Sequence, residues 1–187
     1  MRHRSWFLLA MASLVARSAS AAPPDPKGDV ARGKYLVATM GCHHCHTPMK
    51  MGPNGPERDM TRMLTGHPSD LKMTPSPDLG KGPWMATMAA TMTAFAGPWG
   101  VSFAANLTPD PETGLGKWTE EMFIAAMRHG RHLGKGRPIL PPMPADSFQA
   151  ATDADVKAVF AYLMSLPPVK NAVPQPVEPA APPAPPR

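Results

Sequence analysis

Both cysteines of the chain and three of its seven histidines fall in five consecutive positions, Cys42-His43-His44-Cys45-His46. On a helix each residue turns by about 100°. With Cys42 at zero, Cys45 lies near about −60° and His46 near about +40°, so the three share one face. His43 and His44 fall near about 100° and about 200°, turn away, and are expected at the surface. Two thiols and an imidazole on one side of a single turn form the C-x-x-C-H pattern of covalent haem c attachment. The thiols add to the vinyl groups while the histidine reaches the iron from the same side. Cys42 and Cys45 are therefore the expected attachment points, and His46 the expected axial ligand.

Other chemistries for these residues ask for more than the sequence offers. Zinc needs a fourth ligand and usually draws its ligands from separate turns. A C-x-x-C thiol–disulfide exchanger belongs in a β-α-β context, and no such alternation is visible. A tandem histidine cluster could take copper. A disulfide between cysteines three apart closes almost no loop and stabilises little.

The first residues have the pattern of an export signal. Arg2, His3 and Arg4 precede an apolar run from Trp6 to Ala16, and Ala19-Ser20-Ala21 supplies small residues for cleavage. The run is too short to span a bilayer. The expectation is a signal over 1–21, an extended leader over 22–28 and a periplasmic protein with no transmembrane segment after processing. The formal charge of +5 then falls to +2, because Arg2, Arg4 and Arg17 leave with the signal. That excess is too small to argue for nucleic acid.

The remaining chain reads as three helices separated by loops. Val30, Gly33, Val37 and Met40 recur on one helical face, with Asp29 at the start and Gly41 at the end. Thr119 caps a helix EEMFIAAMRH that Gly130 stops, and its end charges suit the helix dipole. Thr152 and Asp155 form a capping box before a stripe of Val156, Val159, Phe160 and Leu163, which Pro167-Pro168 ends. Residues 47–90, rich in Gly, Pro and Met, read mostly as loop. Between 93 and 104 the turn residues Gly97-Pro98-Trp99-Gly100 indicate a small β-hairpin, while a helix through Trp84, Met88 and Met92 is the competing reading. Residues 106–118 form an ordered turn-rich loop. From Asn171 to Arg187 seven of seventeen residues are proline, which reads as a disordered, extended tail with no core to join. The domain proper is expected over 29–170 with an insertion at about 47–105. So little regular structure implies an all-α, loop-rich fold whose interior is completed by a large rigid apolar cofactor.

A second axial ligand must come from far along the chain. Methionine raises the iron potential and gives a stable electron-transfer centre. Among fifteen methionines, Met143 stands apart in LPPMP, where prolines stiffen the loop and reduce the entropy lost on ligation. His132, His67 and Met73 are the other candidates.

Gly33, the C-x-x-C-H at 42–46, the Met-Pro loop and the aromatic C-terminal helix resemble class I c-type cytochromes. In particular, NLTPDPETGLGKWTEEMFIAAMRHG, then PPMP and DADVKAVFAYLMSLPPV, are similar to single haem domains in the cytochrome subunits of bacterial membrane-bound dehydrogenases. The resemblance covers residues 29–50 and 103–174. It implies one covalent haem c, His46/Met143 ligation, and an all-α fold of three or more helices whose first and last cross beside the haem, with Gly33 against Phe160 or Tyr162. It also suggests that Trp118 and Arg137 contact the haem or its propionates. The function so implied is periplasmic electron transfer, with a periplasmic or membrane-bound dehydrogenase and a terminal oxidase or another cytochrome as redox partners. The alternatives are a haem c oxidoreductase with a displaceable distal ligand, acting on peroxide or sulfur compounds, and a haem-based sensor or assembly factor.

Overall fold

Residues 26–76 and 83–179 are described by the computed structural model. The expected signal over 1–21 and the last residues of the tail, 180–187, lie outside the described residues. Helix α1 (Pro26–Thr39) crosses the last helix, α5 (Asp153–Met164). Gly33 makes the crossing close. A Cβ at this position would overlap the Ala158 carbonyl oxygen and sit 2.7 Å from Tyr162 Cβ. Leu36 and Val37 on one side and Val156, Val159, Phe160 and Leu163 on the other are buried. Arg32 closes the edge by binding the Asp155 carboxylate at 3.0 Å. Asp155 is thereby diverted from the reciprocal half of the expected capping box, and Thr152 alone caps α5, accepting from the Asp155 N–H at 3.1 Å.

Helix α2 (Cys42–His46) follows directly, entered through Gly41 in a left-handed conformation (φ 75°). Helix α3 (Glu120–His129) starts on the Thr119 cap and stops at Gly130, also left-handed. Its Phe123 meets Phe160 at 5.2 Å between ring centroids. Its Arg128 donates to the carbonyls of Phe148, Gln149 and Ala151 and to the Asp153 carboxylate. One guanidinium thus ties α3 to α4 (Ala145–Ala150) and to the start of α5.

The all-α expectation is corrected. Besides these five helices, the described residues contain two small antiparallel sheets. The first is a hairpin of β1 (Met49–Gly52) and β2 (Gly55–Arg58), with Gly52 opposite Gly55, in a stretch expected to be loop. The second joins β3 (Thr87–Met88), β4 (Ala94–Gly97) and β5 (Gly100–Phe103). Its Gly97–Gly100 turn is where the sequence indicated one. The competing helix through Trp84, Met88 and Met92 is absent: Met88 is in strand β3, and Trp84 is exposed.

The tail also departs from expectation. Its first nine residues are extended, yet they are held in place. Asn171 donates from its side-chain amide to the carbonyls of Thr65 (2.7 Å) and His67 (2.9 Å), and its side-chain oxygen accepts from the Ser69 N–H at 2.9 Å. Six residues on, Val177 exchanges both backbone hydrogen bonds with Val101. Composition correctly signals the lack of an apolar face, but polar anchors and a sheet edge suffice to fix the chain. Each net hydrogen bond contributes about 1 kcal/mol, so Asn171→Ala is expected to destabilise the protein by about 2–3 kcal/mol. The denaturant midpoint measures this, and an unmoved midpoint would show that the tail is not anchored there.

Candidate functional site

His46 is buried on the inner side of α2. Its Nδ1 lies 2.8 Å from the carbonyl oxygen of Ala105, just past β5. A carbonyl can only accept, so Nδ1 carries the proton and Nε2 presents a lone pair. A hydrogen bond of this kind fixes tautomer and ring orientation in metal-binding histidines. The same residue is held through its backbone too, since the His46 carbonyl accepts from the Gly66 N–H at 2.9 Å. Burial pushes the His46 pKa down, against the opposing effect of the Ala105 bond. The neutral, ligating form is favoured.

Cys42 and Cys45 are free and half-buried on the same short helix. Burial pushes the Cys42 thiol up to about 11. It also raises Cys45, against the pull of the Arg58 charge. Reactive exchange cysteines have lowered values, so these unionised thiols suit a permanent bond better than redox cycling. Among the described residues no group of three or more Cys, His, Asp or Glu side chains has the arrangement of a metal site, which gives the zinc reading no support.

An apolar cluster is formed by α1, α3, α4 and α5 with Leu64 and Leu115, and three sequence-selected residues border it: Cys42, Trp118 and Met143. The Met143 loop is tied to the β-sheet by Ser102 of β5, whose hydroxyl donates to the Pro141 carbonyl at 2.6 Å. Strand β5 and the residues just after it therefore hold both segments. Ser102 holds the methionine loop, and three residues later Ala105 holds His46.

The other candidates scatter. His67 is fully buried, but Gly66 and the bond from its own N–H to the Ala104 carbonyl put it on the His46 side. Its Nδ1 pairs with the Thr93 hydroxyl at 2.9 Å and its ring packs on Phe103. Met73 is 43% exposed. His132 is exposed and stands edge-on to Trp118 at 5.2 Å. Arg137 is exposed, with its guanidinium on the Pro138 carbonyl at 3.3 Å. His44 is exposed as expected. His43 is not a free surface residue: it is half-buried, with Nδ1 3.0 Å from the Thr47 hydroxyl.

Sequence reasoning missed Ala105, which acts through a backbone carbonyl that no side chain announces. It missed Ser102, an ordinary strand residue. It missed Arg58, which returns to α2 across the unforeseen hairpin. The asparagine-threonine loop did carry a signal. Asn106 accepts from Thr108 and donates to Val169, locking the turn-rich segment beneath the site.

A buried imidazole with one nitrogen committed, two unionised thiols on the same turn and an apolar wall carrying a methionine fit a covalently held porphyrin, and they define a c-type haem protein. The comparison with known sequences agrees. The chain belongs to the cytochrome c family, whose model matches residues 30–167. It is similar to a subunit of the nicotinate dehydrogenase of Pseudomonas putida, 46% identical over 77 residues, which is 41% of this chain and 6% of that protein. It is 28% identical over 158 residues to the fructose dehydrogenase cytochrome subunit of Gluconobacter japonicus, covering 81% of this chain and 25% of that one. The cytochrome c subunit of the quinone alcohol dehydrogenase of Gluconobacter oxydans is 28% identical over 163 residues, covering 86% and 27%. The chain thus spans about a quarter or less of the length of these relatives. Membership of the family implies covalently bound haem c.

Proposed function

We propose that the protein is exported to the periplasm and carries a single haem c, joined to Cys42 and Cys45 and ligated by His46 and Met143. In this reading it moves electrons between a dehydrogenase and a second cytochrome or terminal oxidase. When bound, the haem supplies a one-electron iron couple. The observation that carries the reading is the double duty of one strand end, Ser102 on the Met143 loop and Ala105 on His46. Two ligand-bearing segments fixed to one rigid strand change little in geometry when the charge between them changes, as electron transfer needs. The relatives are named as dehydrogenase subunits, which supports a dehydrogenase as donor. Among the described residues no helix is long and apolar enough to cross a membrane, which is compatible with a partner-docked role. Trp118 and Arg137 remain candidates for haem contact, Trp118 by its place against the core and Arg137 by its charge on the loop leading to Met143.

The test is spectroscopic. A pyridine haemochrome assay should return one haem per chain. The oxidised protein should show the weak far-red charge-transfer band of sulfur-ligated iron, and Met143→Ala should abolish that band and lower the potential. An unchanged spectrum in Met143→Ala would exclude this residue as the ligand.

A further inference from the structure

Helix α2 ends on carbonyls that its own turn leaves open, as every helix does. The His43 carbonyl takes the closing bond of the turn from the Thr47 N–H at 3.3 Å and a second bond from the Arg58 guanidinium at 2.6 Å. Arg58 is fifteen residues further along the chain, and the β1–β2 hairpin brings it back. A cation at a helix C-terminus is stabilising, but here its setting has a second effect. The acids flanking Arg58 in sequence are both engaged elsewhere. Lys50 binds Glu57 at 3.9 Å and Asp59 at 3.4 Å. Among the described residues no carboxylate forms an ion pair with Arg58. The positive charge stands without an ion-pair partner and half-buried beside the attachment turn.

We propose that Arg58 positions the attachment turn through the His43 carbonyl and raises the reduction potential of the centre held there, because its unpaired charge disfavours the added positive charge of the oxidised state. The inference rests on the haem attachment proposed above. The interaction between fixed charges scales as 332/(εr), with an effective ε of about 20 near a protein surface. With solvent and salt screening part of that field, a charge beside the attachment turn is expected to alter the reduced-to-oxidised ratio by roughly threefold to tenfold. Tenfold corresponds to about 59 mV for a one-electron couple.

The experiment is a mediated redox titration of the haem-loaded protein, with no partner present. Arg58→Gln should lower the reduced-to-oxidised ratio at a fixed ambient potential by about threefold to tenfold, with the far-red band retained. Arg58→Lys, which keeps the charge, should stay within about twofold of wild type. The gap between wild type and Arg58→Gln should narrow at about 1 M salt, where the Debye length is about 3 Å. Lys50→Gln offers a handle that leaves the bond to His43 intact. It removes the cation that offsets Glu57 and Asp59 next to Arg58 and should lower the ratio in the same direction. A loaded Arg58→Gln protein with an unchanged ratio overturns the inference and leaves the haem reading standing. If Arg58→Gln fails to load, an unchanged ratio in Lys50→Gln overturns it. A colourless wild-type protein overturns both readings together.

Discussion

Cys42→Ser/Cys45→Ser protein, produced without haem, is expected to show no cooperative thermal transition. The core cluster is built from α1, α3, α4 and α5 with Leu64 and Leu115 from loops, and Cys42, Trp118 and Met143 are only partly covered at its border. In the proposed holo protein the porphyrin covers that border. About 400 Å² of buried apolar surface at ~25 cal/mol per Å² contributes on the order of 10 kcal/mol. A whole domain has a net stability of only about 5–15 kcal/mol, so removal of the porphyrin is enough to unfold it. Circular dichroism melting of the variant against the loaded wild type is the measurement. A sharp native-like transition in the colourless variant would show that the polypeptide builds its interior alone.

The second large effect is at Gly33. By helix propensity alone, Gly33→Ala should stabilise α1 by up to about 1 kcal/mol. The structure reverses the sign. The new Cβ meets the Ala158 carbonyl, which is part of a helical backbone and cannot swing aside, and it sits 2.7 Å from Tyr162 Cβ. Overpacking of this kind typically costs about 1–3 kcal/mol and occasionally more. The rigid partner puts Gly33→Ala at the upper end, with a net loss of about 2–3 kcal/mol after the propensity gain, and Gly33→Val should fail to fold. Denaturant unfolding of the loaded protein tests this. A Gly33→Ala midpoint at or above wild type would show that α1 and α5 do not touch at this point.

What the sequence made legible follows from which interactions are local. The α2 helix, the Thr119, Gly130 and Thr152 helix ends and the Gly97–Gly100 turn depend on neighbours a few residues away, and all are present in the structure. The approach of Gly33 to Tyr162 was legible through resemblance, since nothing near Gly33 in sequence requires it. The β1–β2 hairpin was hidden because Pro53 and Pro56 read as breakers. Pro56 is tolerated opposite Met51 because β2 is an edge strand of a two-stranded ribbon. The tail misled because composition speaks of burial, whereas Asn171 is held by backbone carbonyls more than a hundred residues away. The carbonyl of Ala105 was invisible for the same reason: the alanine side chain says nothing of what its backbone does.

The pairing of α1 with α5 also dictates an order of events. Arg32 and Asp155, joined at this crossing, are 123 residues apart in sequence. Contacts of such separation form slowly, because a long loop must close before they gain anything. Helix α1 therefore waits, unpartnered, until the α5 segment is available. In the reading proposed above, the adjoining Cys42–His46 segment stays open to haem attachment throughout that interval. Final closure can then serve as the step that seals a finished product, not one that competes with its manufacture.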